Sequence, residues 1–128
     1  MDVLNVDICI VGAGAAGLWA AEGCARRGRS TLVLEKTTKT GTKILSSGGT
    51  RCNLTTTLEP ADAARWYGEG VRFVLPALRN LSPQDVRARF EAMGVRTKME
   101  ARYEKVFPRS DSALEAVSYT HLTLPTKA

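Results

Sequence analysis

The sequence predicts an α/β fold that begins with a parallel βαβ unit. Residues 6–11 form an almost continuous apolar run, which is typical of a strand in a parallel sheet that is buried on both faces. Three glycines follow at the spacing G-x-G-x-x-G, namely Gly12, Gly14 and Gly17. An alanine-rich helical segment then leads to a second apolar strand, residues 31–34, which ends at Glu35. This order of elements is typical of a Rossmann-like unit that binds a dinucleotide.

The glycine-rich turn is predicted to hold a pyrophosphate through backbone groups. Gly12 permits the tight turn, Gly14 keeps a Cβ away from the ligand, and Gly17 lets the helix pack closely on the strand. The helix also points its first N–H groups and the positive end of its dipole towards an anion. The predicted pyrophosphate contacts are Gly12, Ala13, Gly14, Ala15, Ala16 and Gly17.

The helix after the turn is predicted to bury an alanine-rich face and to stop at Gly28. Cys9 in the first strand and Cys24 in the helix are expected to be small core residues. Charged side chains on the other face are expected to contact water, namely Glu22, Arg26 and Arg27.

Glu35 follows the second strand about 20 residues after the glycines, where a carboxylate accepts hydrogen bonds from ribose hydroxyls. Its charge disfavours a cofactor with a 2′-phosphate, because the two anionic groups would repel each other. The alternative is a solvated acid that simply follows a strand.

Residues 36–57 are polar and glycine-rich, and they are predicted to form a long functional loop. Gly48 and Gly49 would allow backbone amides to approach a flat ring or a phosphate, while Lys43 and Arg51 supply positive charge. A plain NAD-dependent dehydrogenase would enter its next helix sooner, so that function is an alternative of lower rank.

These motifs together resemble the amino-terminal part of the BaiN-like flavoproteins, also called the aminoacetone-oxidase family. The matching segments are the glycine fingerprint, Glu35-Lys36, Gly41-Thr-Lys43 and Ser47-Gly-Gly-Thr-Arg-Cys-Asn-Leu-Thr55. Shorter similar segments follow in the same order, from Tyr67-Gly68 to Val106-Phe-Pro108, so the resemblance covers roughly residues 3–116. It implies non-covalent FAD, with the pyrophosphate at residues 12–17 and the adenosine ribose at Glu35.

The resemblance also implies that the loop from Lys43 to Asn53 lies near the flavin. The further FAD contacts expected on this basis are Lys36, Lys43, Ser47, Gly48, Gly49, Arg51, Cys52 and Asn53. Arg51 and Asn53 either bind the ligand or brace the loop. Cys52 is either a redox thiol or a packed core thiol, and no second cysteine or histidine lies near it in the sequence.

Helical segments and a hairpin are predicted after the loop. A short helical turn is expected at residues 60–66, followed by an amphipathic helix over residues 71–81 whose apolar side chains, including Phe73, build the core. Ser82-Pro83 starts another helix, which ends at Gly94. Two strands near residues 95–99 and 105–107 are expected to form the hairpin.

The last twelve residues, 117–128, are expected to be foreign to the gene. The helix that begins at Ala113 is expected to stop near Val117, where the sequence resembles translated sequencing-adapter DNA. Residues 1–116 would then be the amino-terminal part of an incomplete FAD-binding domain. His121, the only histidine, falls in this tail and is not assigned a catalytic role. A genuine carboxyl-terminal segment is the alternative.

The composition leaves three functions open. Lys and Arg outnumber Asp and Glu by 18 to 13, but the cations are scattered, which favours a solvated surface over a nucleic-acid stripe. The leading hypothesis is an FAD-dependent oxidoreductase; the alternatives are a flavoenzyme that reduces a base in RNA and an inert fragment.

The three cysteines form no CxxC pair, so no metal site is predicted. No bilayer-spanning segment is found, and a cytoplasmic protein with an unidentified substrate and catalytic acid or base is expected.

Overall fold

The computed structural model describes residues 3–122, and the side chains of residues 3–118. Its first part contains strand β1 (Ile8–Val11), helix α1 (Ala15–Ala25) and strand β2 (Thr31–Leu34). The two strands are parallel and in register from Ile8 beside Thr31 to Val11 beside Leu34. The predicted βαβ unit is confirmed, and we refer to these three elements as the parallel unit.

A second sheet is antiparallel. It contains β3 (Thr55–Thr56), β4 (Thr97–Glu100) and β5 (Lys105–Pro108), with β5 in the middle. The pair β4 and β5 is the predicted hairpin, whereas β3 was not predicted because two threonines carry too little pattern. Helix α5 (Pro83–Ala92) packs against β3 and β4. We refer to this sheet and α5 as the antiparallel unit.

Four further α-helices of the described residues lie outside these units. They are α2 (Thr42–Ser46), α3 (Pro60–Arg65), α4 (Val71–Asn80) and α6 (Ala113–Leu122). The prediction of one uninterrupted loop over residues 36–57 is therefore wrong, because α2 and β3 lie inside it. Among the described residues, no helix is long and apolar enough to cross a bilayer.

Helix α6 overturns the expectation that a helix stops near Val117. The helix continues to Leu122, and Val117 is 5% exposed between Ala13, Leu18 and the partly buried Ile44. The contacts of Val117 stabilise the helix at this position, although a β-branched residue has a low helix propensity. The proposed foreign origin of residues 117–128 stays a prediction, and residues 123–128 lie outside the described part of the chain.

Within the described part of the chain, α6 joins two clusters of buried side chains. One contains Phe90 of α5, Val95 and Cys52 together with Ala113 and Ala116 of α6. The other contains Ala13, Leu18 and Val117. Because α6 contributes to both clusters, its position fixes the antiparallel unit against the parallel unit.

Several side chains expected in the core are instead accessible. Cys9 is exposed, Cys24 is half-buried and Val11 is 83% exposed, because one face of β1 is left open by the described residues. Phe73 on α4 is 87% exposed. Helix α4 packs against α3, and Val74 of α4 is only partly buried. The apolar pattern found these elements correctly but was wrong about the burial of these faces.

A buried ion pair joins α1 to α5. Glu22, expected to contact water, is only 3% exposed and binds the guanidinium of Arg89. Arg89 also lies 5.6 Å above the ring of Trp19, and Trp19 packs against Phe90 with ring centroids 5.8 Å apart. The expectation for Glu22 is wrong because α5 covers this position, which the sequence of α1 alone does not reveal.

Candidate functional site

The glycine turn after β1 is built by backbone contacts. The N–H of Gly12 donates to the carbonyl of Leu34 over 2.7 Å, and Gly12 has a φ of +98°, in the left-handed region. A Cβ placed on Gly17 would lie 1.9 Å from the carbonyl oxygen of Gly12. The expected close packing of α1 on the turn is therefore present, and a side chain at Gly17 would prevent it.

Glu35 reaches across this turn rather than pointing only into solvent. Its Oε2 accepts from the backbone N–H of Ala13 over 2.8 Å. Its Oε1 accepts from both the N–H and the hydroxyl of Thr37 over 2.9 Å. The Ala13 N–H, followed by the two Thr37 donors, stabilises the ionised form and lowers the pKa of Glu35 to about 2. An ionised carboxylate thus lies at the mouth of the glycine turn.

The glycine turn and Glu35 belong to one large cleft of about 870 Å³. This volume is near the upper end of the usual range for ligand pockets. The predicted site residues that line it are Ala13, Gly14, Ala15, Ala16, Glu35, Lys43, Ser47, Cys52 and Asn53. The fold therefore brings together the two sequence segments that were assigned to the pyrophosphate and to the flavin loop.

The large cleft also contains residues that the sequence reasoning missed. They include Trp19, Thr37, Lys39 and Phe90. Trp19 follows Ala15 by four positions, so helical periodicity places both on one face and could have identified it. Phe90 comes from α5, and no local pattern predicts that this helix closes the cleft.

The other predicted site residues do not line the large cleft. They are Gly12, Gly17, Lys36, Gly48, Gly49 and Arg51. A Cβ on Gly48 would lie 2.8 Å from the Asn53 nitrogen and 2.9 Å from the Phe107 ring, so this glycine permits close packing. Gly12 and Gly17 shape the turn from behind.

Arg51 contacts two residues of the antiparallel unit and the nearby Asp111. Its guanidinium lies 2.6 Å from Glu100 and 3.6 Å from Asp111, and 4.1 Å from the centre of the Phe107 ring. Its Nε also donates to the Gly48 carbonyl over 3.4 Å. Of the two roles left open for Arg51, these contacts correspond to the bracing of the loop.

Cys52 is 4% exposed and packs against Phe90, Ala113 and Ala116. Burial raises the pKa of its thiol, and a hydrogen bond with Ser47 only partly opposes this effect. A thiol with a raised pKa is a poor nucleophile. The environment of Cys52 is that of a packed core thiol.

The large cleft fits the diphosphate and ribose of a dinucleotide. The first N–H groups of α1 lack intrahelical partners, and space is open where a Cβ would lie on Gly14. The helix dipole favours an anion at this position, and the Glu35 carboxylate retains acceptor capacity beside it. The fold and the site together define a dinucleotide-binding Rossmann domain.

Comparison with known proteins agrees with this class. Residues 6–126 match the family model described as the HI0933-like protein Rossmann domain. The chain belongs to this family of BaiN-like FAD-dependent proteins. The predicted fold class and the assignment of FAD as the cofactor are confirmed.

Curated relatives show how the match is distributed. A 3-dehydro-bile acid delta(4,6)-reductase of Clostridium scindens is 34% identical over 91% of this chain and 28% of the reductase. A ribosomal RNA dihydrouridine synthase of Haemophilus influenzae is 42% identical over 59% of the chain and 18% of the synthase. The corresponding synthase of Escherichia coli is 47% identical over 38% of the chain and 12% of that protein. The chain thus spans less than a third of the length of these relatives.

Proposed function

We propose that this chain is the amino-terminal FAD-binding portion of a flavin-dependent oxidoreductase. The observation that carries the proposal is the Glu35 carboxylate held against the Ala13 N–H, at the mouth of a cleft that also reaches Asn53. When bound, FAD supplies hydride transfer to or from a substrate. The protein supplies binding, orientation and charge.

Each part of the large cleft has a distinct role in this proposal. Backbone N–H groups of Gly14 to Ala16 hold the pyrophosphate, while Glu35 accepts hydrogen bonds from the adenosine ribose. Because its pKa is about 2, Glu35 stays ionised at any pH near neutrality. Lys43 and Asn53, which also line the cleft, hold the flavin end. Trp19 and Phe90, whose rings are in contact, form an apolar wall that excludes water from this part of the cleft.

Titration of the 128-residue chain with FAD tests the proposal. We expect saturable binding, followed by the quenching of flavin fluorescence, and an affinity about tenfold lower for Glu35→Ala, since a charge-assisted hydrogen bond is removed. Glu69→Ala is the matched control, because Glu69 is an exposed acid that does not line the cleft. Equal affinities for all three proteins, or no binding by a chain that unfolds cooperatively, would contradict the proposal.

A second candidate is a flavoenzyme that reduces a base in RNA. The two ribosomal RNA dihydrouridine synthases among the relatives favour it, together with a formal net charge of +5. Binding of RNA through phosphates should weaken steeply with added salt. Filter binding of a ribosomal RNA fragment at low and high salt tests this candidate, and a salt-independent signal would count against it.

The third function left open, an inert fragment, predicts a different outcome. A chain unable to complete its site would show neither FAD binding nor a cooperative unfolding transition.

We also propose a cytoplasmic location, which is supported by the three free cysteines, since thiols persist in a reducing compartment. The redox state of the cysteines in protein isolated with an alkylating agent present would test it.

A further inference from the structure

The segment that follows β2 is bound back onto the glycine turn at Ala13. The N–H of Ala13 donates to Oε2 of Glu35 over 2.8 Å, and its carbonyl accepts from the N–H of Gly41 over 2.7 Å. Ala13 itself is only 1% exposed. Both backbone polar groups of this buried residue are therefore bound by the segment from Glu35 to Gly41. These contacts fix the Glu35 carboxylate relative to the turn.

Thr37 supplies two donors to the other oxygen of this carboxylate. Its N–H and its hydroxyl both donate to Oε1 of Glu35 over 2.9 Å. The same hydroxyl lies 2.8 Å from the carbonyl oxygen of Lys39. A hydroxyl has a single proton, and the ionised carboxylate is the stronger acceptor of the two. The Lys39 carbonyl thus helps to place the hydroxyl, while Glu35 receives its proton.

These hydrogen bonds give the two oxygens of the Glu35 carboxylate different surroundings. An ionised carboxylate can accept about four hydrogen bonds, which is two at each oxygen. The two donors of Thr37 fill Oε1. The Ala13 N–H takes one position on Oε2 and leaves a second position on this oxygen. Because Ala13 belongs to the glycine turn, Oε2 is the oxygen nearer to the proposed pyrophosphate position.

We propose that Thr37 is a positioning residue for the nucleotide: by binding Oε1 of Glu35, it leaves Oε2 turned towards the cleft to accept a hydrogen bond from the ribose. The inference rests on the proposed function, which places the ribose at Glu35, and it adds the residue that orients the carboxylate. Without the Thr37 hydroxyl, the carboxyl group could rotate, since the last torsion of a glutamate is broad. Recognition of the ribose would then weaken, whereas backbone contacts with the pyrophosphate would remain.

Two nucleotides separate recognition of the ribose from recognition of the pyrophosphate. ADP has the ribose hydroxyls and the diphosphate, and 2′,3′-dideoxy-ADP has the same diphosphate without these hydroxyls. Equilibrium dialysis gives the Kd of each nucleotide for the 128-residue chain. We expect ADP to bind about tenfold more tightly than dideoxy-ADP, because the dideoxy compound lacks the hydrogen bond to a charged acceptor.

Thr37→Val keeps the branched shape of the side chain and removes only the hydroxyl. We expect its affinity for ADP to fall about fivefold and its affinity for dideoxy-ADP to change by less than about twofold. Thr37→Ser returns the hydroxyl and should restore the preference for ADP. Thr31→Val is the matched control, because the Thr31 hydroxyl donates to the Arg29 carbonyl over 3.1 Å and Thr31 does not line the large cleft. It should keep the full preference.

The ionisation of Glu35 provides a readout that needs no ligand. The Ala13 N–H, followed by the two Thr37 donors, lowers the pKa of Glu35 to about 2. Thr37→Val should raise this pKa, because one donor to the ionised form is lost, and Thr37→Ser should lower it again. Carboxyl NMR titration measures the change. An unaltered pKa in Thr37→Val would show that the hydroxyl does not hold the carboxylate, and it would overturn the inference.

The binding data distinguish this inference from the proposed function. If Thr37→Val kept the full preference for ADP, the inference alone would be wrong, even with a less stable variant, because Thr37 would then only brace the segment. Loss of the preference in Thr31→Val as well would also overturn it, since the effect would not be specific to Thr37. Equal binding of the two nucleotides by the unaltered chain, or no binding of ADP, would contradict both the proposed role of Glu35 and the inference.

Discussion

The parallel unit and the antiparallel unit differ in the relation between sequence pattern and burial. Strand β1 has the stronger apolar pattern, yet Val11 is 83% exposed, and Leu34 beside it on β2 is 49% exposed. Strand β5 has the same length and begins with a lysine, yet Val106 and Phe107 are each 1% exposed. An apolar pattern therefore predicts a strand, but the elements packed on each face determine how deeply the strand is buried.

The cause of this difference is the number of neighbours. Strand β5 lies between β3 and β4 and contacts α6. Strand β1 pairs only with β2 and contacts α1, so its other face is left open within residues 3–122. The stability of the parallel unit thus depends more on its backbone turn and on its contacts with α5 and α6 than on burial of its sheet.

The largest expected effect is at the turn of the parallel unit. Gly17→Ala should destabilise the chain by at least about 3 kcal/mol, because the new Cβ would overlap the Gly12 carbonyl, and no rotamer change relieves a backbone clash. Gly14→Ala is the control, since nothing lies within 4 Å of its Cβ position. The free energy of unfolding of Gly14→Ala should lie within about 1 kcal/mol of that of the unaltered chain, but this variant should bind FAD more weakly. Denaturant unfolding measures the stability of both variants. Equal stabilities of the two variants would contradict the packing role of Gly17.

A slightly smaller effect is expected where the two units meet. Glu22→Leu should cost about 3 kcal/mol, because it leaves the Arg89 charge, 19% exposed, without its partner. Adding Arg89→Met should restore most of the stability, whereas Arg65→Ala, which breaks the exposed pair with Asp62, should cost under about 0.5 kcal/mol. If Glu22→Leu had no more effect than Arg65→Ala in urea unfolding, the ion pair would not hold the units together.

The thiols provide a kinetic test of the same difference. Cys9 in the parallel unit is exposed, while Cys52 at the antiparallel unit is buried with a raised pKa. An aromatic disulfide reagent should therefore modify Cys9 quickly, Cys24 more slowly and Cys52 only when the chain opens. Mass spectrometry of the labelled peptides gives the order. Fast labelling of Cys52 in the native chain would mean that its core cluster is not closed.

The smallest effect concerns the carboxylates that support each unit. Backbone N–H groups lower the pKa of Glu35 from 4.5 to about 2, so its contribution to stability is present above pH 4.5 and is lost as the pH falls towards 2. The pKa of Asp111, in contrast, is lowered mainly by its hydrogen bond with Lys98. Carboxyl groups can be titrated by NMR at low and at high salt. Added salt should raise the titration midpoint of Asp111, because it screens the Lys98 charge, and should leave the midpoint of Glu35 nearly unchanged. A large salt shift at Glu35 would show that its partners are charges rather than backbone amides.

Much of the fold follows from local sequence signals. The glycine spacing with Glu35 predicts the parallel unit, and Ser82 forms the expected cap of α5, a capping box with Asp85. These features depend on residues that lie close together in the chain. Strand β3 was missed because Thr55 and Thr56 gain their strand conformation by pairing with Val106 and Lys105, which are about fifty residues away.

The sequence by itself determined the βαβ unit, the position of Glu35 and the family resemblance, because each depends on short-range spacing and backbone conformation. Only the tertiary structure decided the environments of Glu22, Cys52 and Arg51. Their partners come from α5, α6 and β4, and such contacts over long sequence separations leave no periodic signal. The same reason applies to the large cleft, since its glycine turn is local but the wall that contains Phe90 is supplied by a distant helix.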